Sequence, residues 1–294
     1  KESAALPVGA TWIDIDRSDE QETAELARLL RRKIPPLREV RLIDQTQQYF
    51  TDRNALYVMT PIVVGSHTHN PTAGVMMFIL TPDLVITLRK AESRAIANFA
   101  ERLRKHPEQL HTSATAFISL IDCIIDRLAD LGEKVSYEME QVSRLVFSES
   151  LQRSRKPGNG KADTWRRVLQ GLGTTARLNH RIIDTLSGIE RMIGFLNQTN
   201  STLLPAEQTT RLVHLREELH HLTRQSEGMV NEATFLLDAI VGAISIEQNN
   251  VIKIFSMVSV ILMPPTMIAS IYGMNFAHMP ELAYPWAYPA VLLL

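Results

Sequence analysis

Beyond Lys253 the chain carries no Lys, Arg or Asp, and the only carboxylate side chain left is that of Glu281. The residues that open this stretch, VIKIFSMVSVILMPPTMIASIY (251–272), are almost all apolar. About 22 residues, at a helical rise of ~1.5 Å each, reach across the ~30 Å hydrocarbon core of a bilayer. A buried core helix is the competing reading, but the length and the loss of charge both favour a membrane span. The run lies near the C-terminal end, so it is not a secretory signal. Pro264 and Pro265 each remove a backbone N–H. That breaks most soluble helices but is tolerated in membranes, where neighbours re-satisfy the freed carbonyls. Tyr272, Tyr284 and Trp286 flank the turn that follows, as an interfacial aromatic belt does. The chain starts at Lys1 and stops within the apolar run PAVLLL. The expectation is that both ends are cut and that a second spanning helix begins near Ala283.

The residues before Lys253 are richly charged, although the 294-residue chain as a whole has a net charge of −1. A soluble domain followed by a membrane segment accounts for that split better than one uniform globule. The balanced charge gives no electrostatic case for a nucleic-acid partner. A single cysteine, Cys123, excludes an intramolecular disulfide framework and fits a reducing compartment. It sits in an apolar helical run and reads as core. Because Lys and Arg are plentiful up to Lys253 and absent after it, the positive-inside rule puts the N-terminal bulk in the cytoplasm and the turn at 273–281 outside. No Gly-rich phosphate loop, HExxH zinc site or G-x-S-x-G elbow is present, so an enzyme finds no support.

Read in heptads from Asn249, positions a and d of the span are Asn249, Ile252, Ser256, Ser259, Met263, Thr266 and Ser270. Every hydroxyl below Tyr272 falls on this stripe. Val251, Ile254, Val258, Ile261, Leu262 and Ile268 clothe the other faces. One helix cannot surround a channel, but several copies with the stripe inward line a narrow pore with alternating polar and apolar rings. Small polar residues packing against a neighbouring helix give the same stripe, and the pattern alone leaves the two readings level.

Upstream, strand-like runs are TWIDI (11–15), ALYVMTPIVV (55–64), GVMMFIL (74–80) and LVITL (84–88). Thr81-Pro82-Asp83 marks a hairpin between the last two. Helices are expected over 18–33, with a capping box at Ser18 and Gln21, and over 36–48 and 92–105. From Ser113 a helical period runs through Phe117, Leu120, Ile124, Leu128, Val135, Met139, Val142 and Leu145 to a basic turn at 153–163. A second helix follows over 164–196. Pro205 opens a third, which keeps an apolar period through Leu212, Leu219, Val230, Phe235, Leu236, Ile240 and Ile246 and continues unbroken into the span. At about 65 residues it extends roughly 100 Å, a stalk. The expected domains are an α/β domain at 1–112, a helical hairpin at 113–204, the stalk at 205–250 and the first span at 251–272. An outer loop at 273–282 and the start of a second span at 283–294 complete the chain.

The segment IEQNNVIKIFSMVSVILMPPTMIASIYGMNFAHMPEL (246–282), with YGMNF and then MPEL closing a long apolar helix, resembles the pore segment of the CorA magnesium transporter family. The order of parts is similar too. The related zinc-transporting branch usually has another residue where Met274 stands, so the chain is more similar to the magnesium branch. The resemblance implies an α+β cytoplasmic domain followed by a long helical stalk and transmembrane helices. It also implies a CorA-like funnel, a homopentamer whose first spans line the pore and whose second spans face lipid, and a soluble domain that senses intracellular divalent ions. Mg2+ is the implied transported and regulatory ion, with Co2+ and Ni2+ as further candidates.

The resemblance assigns the selectivity motif to Gly273, Met274 and Asn275. Mg2+ sheds its waters reluctantly, and a ring of Asn275 amide oxygens can accept hydrogen bonds from those waters without stripping them. Gly273 is expected to end the helix with a positive φ, and Met274 to brace the loop. Glu281 adds negative charge outside, or is a simple loop acid. Along the pore, Asn249 matches the family's inner polar ring. Ile252, Phe255 and Met263 match its hydrophobic constriction, and Thr266 a further polar ring. Phe255 lies about 60° off the stripe centre.

Other constellations are weaker. His67 and His69 read as surface histidines before a metal pair. His214 with Glu218 and Glu217 with His221 are i,i+4 pairs, and Asp122, Asp126 and Asp130 form an acidic stripe. Asp122, Asp126, Glu217 and Glu218 are the candidate ligands of a regulatory divalent ion; a solvated charged face is the plainer reading. Arg153, Arg155, Lys156 and Lys161 read as a solubilising loop before a lipid contact. The expected function is a divalent metal cation channel of a bacterial inner membrane, driven by the membrane potential and gated by intracellular divalent ions. The alternatives are a Zn2+ transporter of the same superfamily and a membrane-anchored oligomeric signalling or scaffold protein.

Overall fold

The computed structural model describes residues 10–16, 24–25, 27–28, 34, 48–52, 54–66, 71–106, 112–147, 160–199, 203–274, 279–286 and 289–290. It divides into two compact units, residues 1–237 and 238–294. In the first, a five-stranded sheet is formed by β1 (Trp12–Asp16), β2 (Tyr49–Asp52), β3 (Ala55–Val64), β4 (Thr72–Leu80) and β5 (Val85–Arg89), in the order β1-β5-β4-β3-β2. β1 pairs with β5 in parallel and every other pair is antiparallel. The hairpin expected at Thr81-Pro82-Asp83 joins β4 to β5, and the Thr81 hydroxyl closes it by donating to the Leu84 carbonyl at 2.8 Å.

The period of two sorts the strands onto two faces. Tyr57, Met59, Met77, Ile79, Ile86 and Leu88 build one apolar layer, against which Ile13, Ile15 and Ile34 pack. The opposite face meets the helices α1 (Arg94–Lys105), α2 (Ser113–Phe147) and α3 (Gly160–Gln198). There Phe78 meets Phe117 edge-on at 5.6 Å, and Trp12 meets Phe99 at 4.9 Å. Asp14 and Asp16 also point this way, towards buried Arg89. Its Nη2 donates to Asp14 Oδ2 at 2.8 Å and its Nη1 to Asp16 Oδ1 at 2.8 Å. α3 crosses β3 at Gly188, where a β-carbon would stand 2.3 Å from Pro61 Cδ.

α4 (Ala206–Tyr272) is one helix of 67 residues. Within the first unit it buries Leu212, Leu215, Leu219, Leu222 and Met229. It is tied to α2 by Arg211–Asp122 and to α3 by Asn179 Nδ2 donating to the Ser226 carbonyl at 2.8 Å. The expected apolar period is only partly inward: Val230, Phe235 and Ile246 are exposed on α4, as is Leu145 on α2.

Several expectations move. β2 was not anticipated, because YFTD is short. Its turn to β3 rests on Asn54 at φ 61°, a left-handed position that asparagine tolerates. α3 starts at Gly160, inside the stretch expected to be a turn. The expected helix over 18–33 is described only at 24–25 and 27–28, which are helical. The helix expected over 36–48 lies outside the described residues, apart from Gln48 in a turn. His67, His69, Arg153, Arg155, Lys156 and the side chain of Lys161 lie outside them as well.

Candidate ion pathway and acidic cluster

In the second unit the part of α4 that bears the stripe is exposed on all sides. Ile252 is 61% exposed, Phe255 70% and Met263 71%. Asn249, Ser256, Ser259, Thr266 and Ser270 are exposed too. None of its most apolar eighteen-residue stretch is buried within the chain. This separates it from a core helix, which would be covered by its own fold. An apolar surface of this extent is stable only against lipid or other chains.

Three stripe hydroxyls turn back onto the helix. Ser259 donates to the Phe255 carbonyl at 2.9 Å, Thr266 to Leu262 at 2.7 Å and Ser270 to Thr266 at 2.8 Å. With their protons committed, the oxygens meet the surroundings as acceptors. That polarity suits the bound waters of a cation. Pro264 and Pro265 lie within the helix and do not end it.

The helix closes at the motif glycine. Gly273 N donates to the Ala269 carbonyl at 3.0 Å, still in the α pattern, and Met274 N to Ile271 at 3.2 Å, a tighter turn. The expected positive φ at Gly273 is not found. Among the described residues Gly65 is the glycine with one, at 66°. Gly273 forms the turn just past the last helical residue, Tyr272, with its N–H still bonded to a carbonyl four residues back. A β-carbon there would lie 3.2 Å from the Ala269 oxygen, a contact that a small shift relieves. Met274 is 57% exposed rather than packed within the chain. Asn275 lies outside the described residues, as does the side chain of Glu281, which sits in a short 3-10 turn at Pro280–Ala283. Tyr284 and Trp286 are exposed neighbours, with ring centres 5.8 Å apart.

In the first unit, α2 brings Asp122 and Asp126 opposite Glu218 of α4. Burial pushes the Glu218 carboxyl up, and Asp126 and Asp122 push it further. Burial also raises Asp126, with Asp122 adding to it. Asp122 itself accepts from Arg211 Nη2 at 2.7 Å, with Arg102 at 4.0 Å. Glu217 stands apart on the exposed face, 4.0 Å from His214. His214 therefore pairs three residues on, not with Glu218 as its spacing implied. Among the described residues no three or more His, Cys, Asp or Glu side chains are grouped to hold a metal. Cys123 is buried as expected, and burial raises its thiol.

A family model described as CorA-like Mg2+ transporter protein matches residues 8–294. The chain belongs to this family. The magnesium transport protein CorA of Escherichia coli (strain K12) is 27% identical to it over 286 residues, 97% of this chain and 87% of the relative. The complete CorA magnesium transporter from Methanocaldococcus jannaschii superposes with a TM-score of 0.71 at 16% identity, over 96% of this chain and 85% of that one. The ZntB cytoplasmic domain from Vibrio parahaemolyticus superposes with a TM-score of 0.56 at 12% identity, over 79% and 86%. At these identities the two structures establish the fold alone: an α/β soluble domain followed by a long apolar helix.

The protein is thus a divalent-cation transporter of the CorA family and not an enzyme. The row of hydroxyls and the end of the helix at Tyr272 were readable from the sequence. Arg211 and Arg102, the cations that hold Asp122, were missed. Arg211 lies seven residues before Glu218, two turns along the same side of α4, and that spacing was the available signal.

Proposed function

We propose that this CorA-family chain assembles as a homopentamer and conducts Mg2+ passively along a pore lined by residues 249–270 of α4. The observation that carries the reading is the exposed apolar end of α4, over 251–272, whose Ser and Thr hydroxyls all share one stripe and after which the sequence reads Gly273-Met274-Asn275. The N-terminal domain is cytoplasmic and the membrane a bacterial inner membrane, in line with the charge asymmetry about Lys253. The Asn275 amides form the outer ring, with Glu281 concentrating cations beside it. Ile252, Phe255 and Met263 form the constriction. The 27% identity to a named magnesium transport protein supports Mg2+ as the ion.

Intracellular Mg2+ closes the pore by bridging carboxylates between subunits, with Asp122, Asp126, Glu217 and Glu218 as candidate ligands. Neutralised repulsion holds the stalks together, and loss of the ion lets them part. The test is Mg2+ flux into proteoliposomes under an inside-negative potential, with Co2+, Ni2+ and Zn2+ as competitors. Potential-driven Mg2+ entry that Zn2+ leaves unaltered is expected. Zn2+ entry in preference to Mg2+ overturns the ion assignment, and no divalent flux overturns the channel.

A further inference from the structure

The ion pathway makes no use of a cavity of about 640 Å³ in the first unit, where the end of β3, the start of α1 and the middle of α2 come together. Its most informative wall is the N-terminus of α1. The first helical bond there runs from Ala97 N to the Ser93 carbonyl at 3.1 Å. The N–H groups of Arg94, Ala95 and Ile96 therefore precede the helical ladder. Ser93, the N-cap residue, makes no capping hydrogen bond with its side chain, and no acidic residue stands in the first turn. Yet Ser93 is only 9% exposed, Ala95 4% and Ile96 2%. A largely buried serine facing a cavity, beside N–H donors that its side chain leaves uncapped, is a set of groups that seldom goes without a partner.

The charges around these donors favour an anion. Arg94 lines the cavity and makes no ion pair among the described residues. Across from it, Arg127 of α2 reaches in, with one Nη2 donating to Ser66 Oγ at 3.2 Å and a looser 3.5 Å approach to Asp130. Lys134 holds the same loop by donating to the Ser66 carbonyl at 3.1 Å. Two carboxylates also lie on the wall. Asp16 is held by Arg89 at 2.8 Å, and Glu92 has an interaction of its own. Arg89 and Thr185 also line the cavity, and Ile62, Ile124, Leu128 and Leu131 supply an apolar wall. The volume falls in the ~300–1,000 Å³ range of small-molecule sites.

We propose that this cavity binds a phosphate group carried by a small metabolite. The phosphate sits on the α1 N–H groups between Ser93, Arg94 and Arg127, and the uncharged part lies on the Ile/Leu wall. A helix N-terminus supplies donors and positive potential together, and arginine adds charge-assisted bonds. The proposal is independent of the ion pathway and stands or falls without it.

The experiment titrates the full chain in detergent, in magnesium-free buffer, with inorganic phosphate, ADP and adenosine in separate arms, followed by calorimetry. ADP is expected to bind at least about tenfold tighter than phosphate because only ADP uses the apolar wall, and adenosine is expected not to bind. Equal affinity for phosphate and ADP overturns the metabolite assignment. No binding of either at millimolar concentration overturns the site. Arg94→Ala and Arg127→Gln should each weaken ADP about tenfold. Ser93→Asp is the decisive variant. Its carboxylate caps the helix from within, so it should raise the melting temperature without ligand and abolish ADP binding. Wild-type ADP affinity in Ser93→Asp overturns the proposal. Should that variant fail to fold, the same affinity in surface-exposed Arg94→Ala overturns it.

Discussion

Gly188→Ala tests how α3 is seated on the sheet. The new β-carbon would lie 2.3 Å from Pro61 Cδ, 2.6 Å from Pro61 Cγ and 3.1 Å from Thr60 Oγ1. Ordinary contact needs roughly 3.5 Å, so helix and strand must part by about 1 Å. The proline ring is rigid and Thr60 is buried in a strand paired on both sides, so the helix has to give. Moving it also strains the 3.3 Å bond from the Tyr49 hydroxyl to the Gly188 carbonyl. Overpacking of this kind costs about 1–3 kcal/mol, and the better helix propensity of alanine returns up to about 1 kcal/mol. A net loss of about 1–2 kcal/mol is expected. Gly171 lies in the same helix with nothing within 4 Å of its would-be β-carbon. Gly171→Ala should therefore stabilise by about 0.5–1 kcal/mol. Urea denaturation of the full chain in one detergent, followed by tryptophan fluorescence, compares the two. If Gly188→Ala unfolds at the same urea concentration as Gly171→Ala, or a higher one, the seat is not as tight as these distances require.

Asp126→Asn and Glu218→Gln should each stabilise the magnesium-free protein by about 0.3–0.5 kcal/mol at neutral pH, a modest value because both carboxyls are only partly covered and keep much of their contact with water. The sign follows from their raised carboxyls. The fold disfavours the ionised form, so each variant's advantage over wild type is absent below the ordinary carboxylate range near pH 4 and grows as pH rises through the raised values; a variant-minus-wild-type difference in melting temperature that shrinks from pH 4 to 8 contradicts it. Arg89→Ala leaves Asp14 without its bidentate partner in a mostly buried place, and a loss of about 3 kcal/mol by urea unfolding is expected. Asn275→Ala should stop Mg2+ flux while native mass spectrometry still finds the pentamer; wild-type flux would make the turn a mere helix end. Chelation should increase protease cleavage of the soluble domain and millimolar Mg2+ should protect it, whereas identical digests rule out gating by bridged carboxylates.

Legibility followed the range of the interaction. The span, its stripe and the unbroken passage of α4 through Pro264 and Pro265 rest on local composition and period, and the structure repeats the unbroken helix. β2 escaped notice because four residues carry too little pattern. It exists through its register with β3, in which Tyr49 faces Val58 and Phe50 faces Tyr57. Gly273 shows the opposite error: a glycine at a helix end was assigned a left-handed turn, while its N–H remains in the helical ladder. At the acidic cluster the residue types were legible but their grouping was not. Asp122 and Glu218 are almost a hundred positions apart in the chain, and Asp122 is claimed by Arg211, which spacing within α2 could not reveal.

By itself, the sequence determined that charge ends at Lys253 apart from Glu281, that a helix long and apolar enough to cross a membrane follows, and which side of it carries the Ser and Thr hydroxyls. Hydropathy, charge and helical period act over a few turns, and a bilayer reads them without reference to the rest of the fold. Only the tertiary structure decided that the sheet runs β1-β5-β4-β3-β2, that Asp122 pairs with Arg211 while Asp126 and Glu218 are pushed up, and that the start of α1 opens onto a cavity facing Arg127. Those outcomes depend on which distant segments meet. Contact at a few ångströms sets the burial, the pairing and the field felt by each charge.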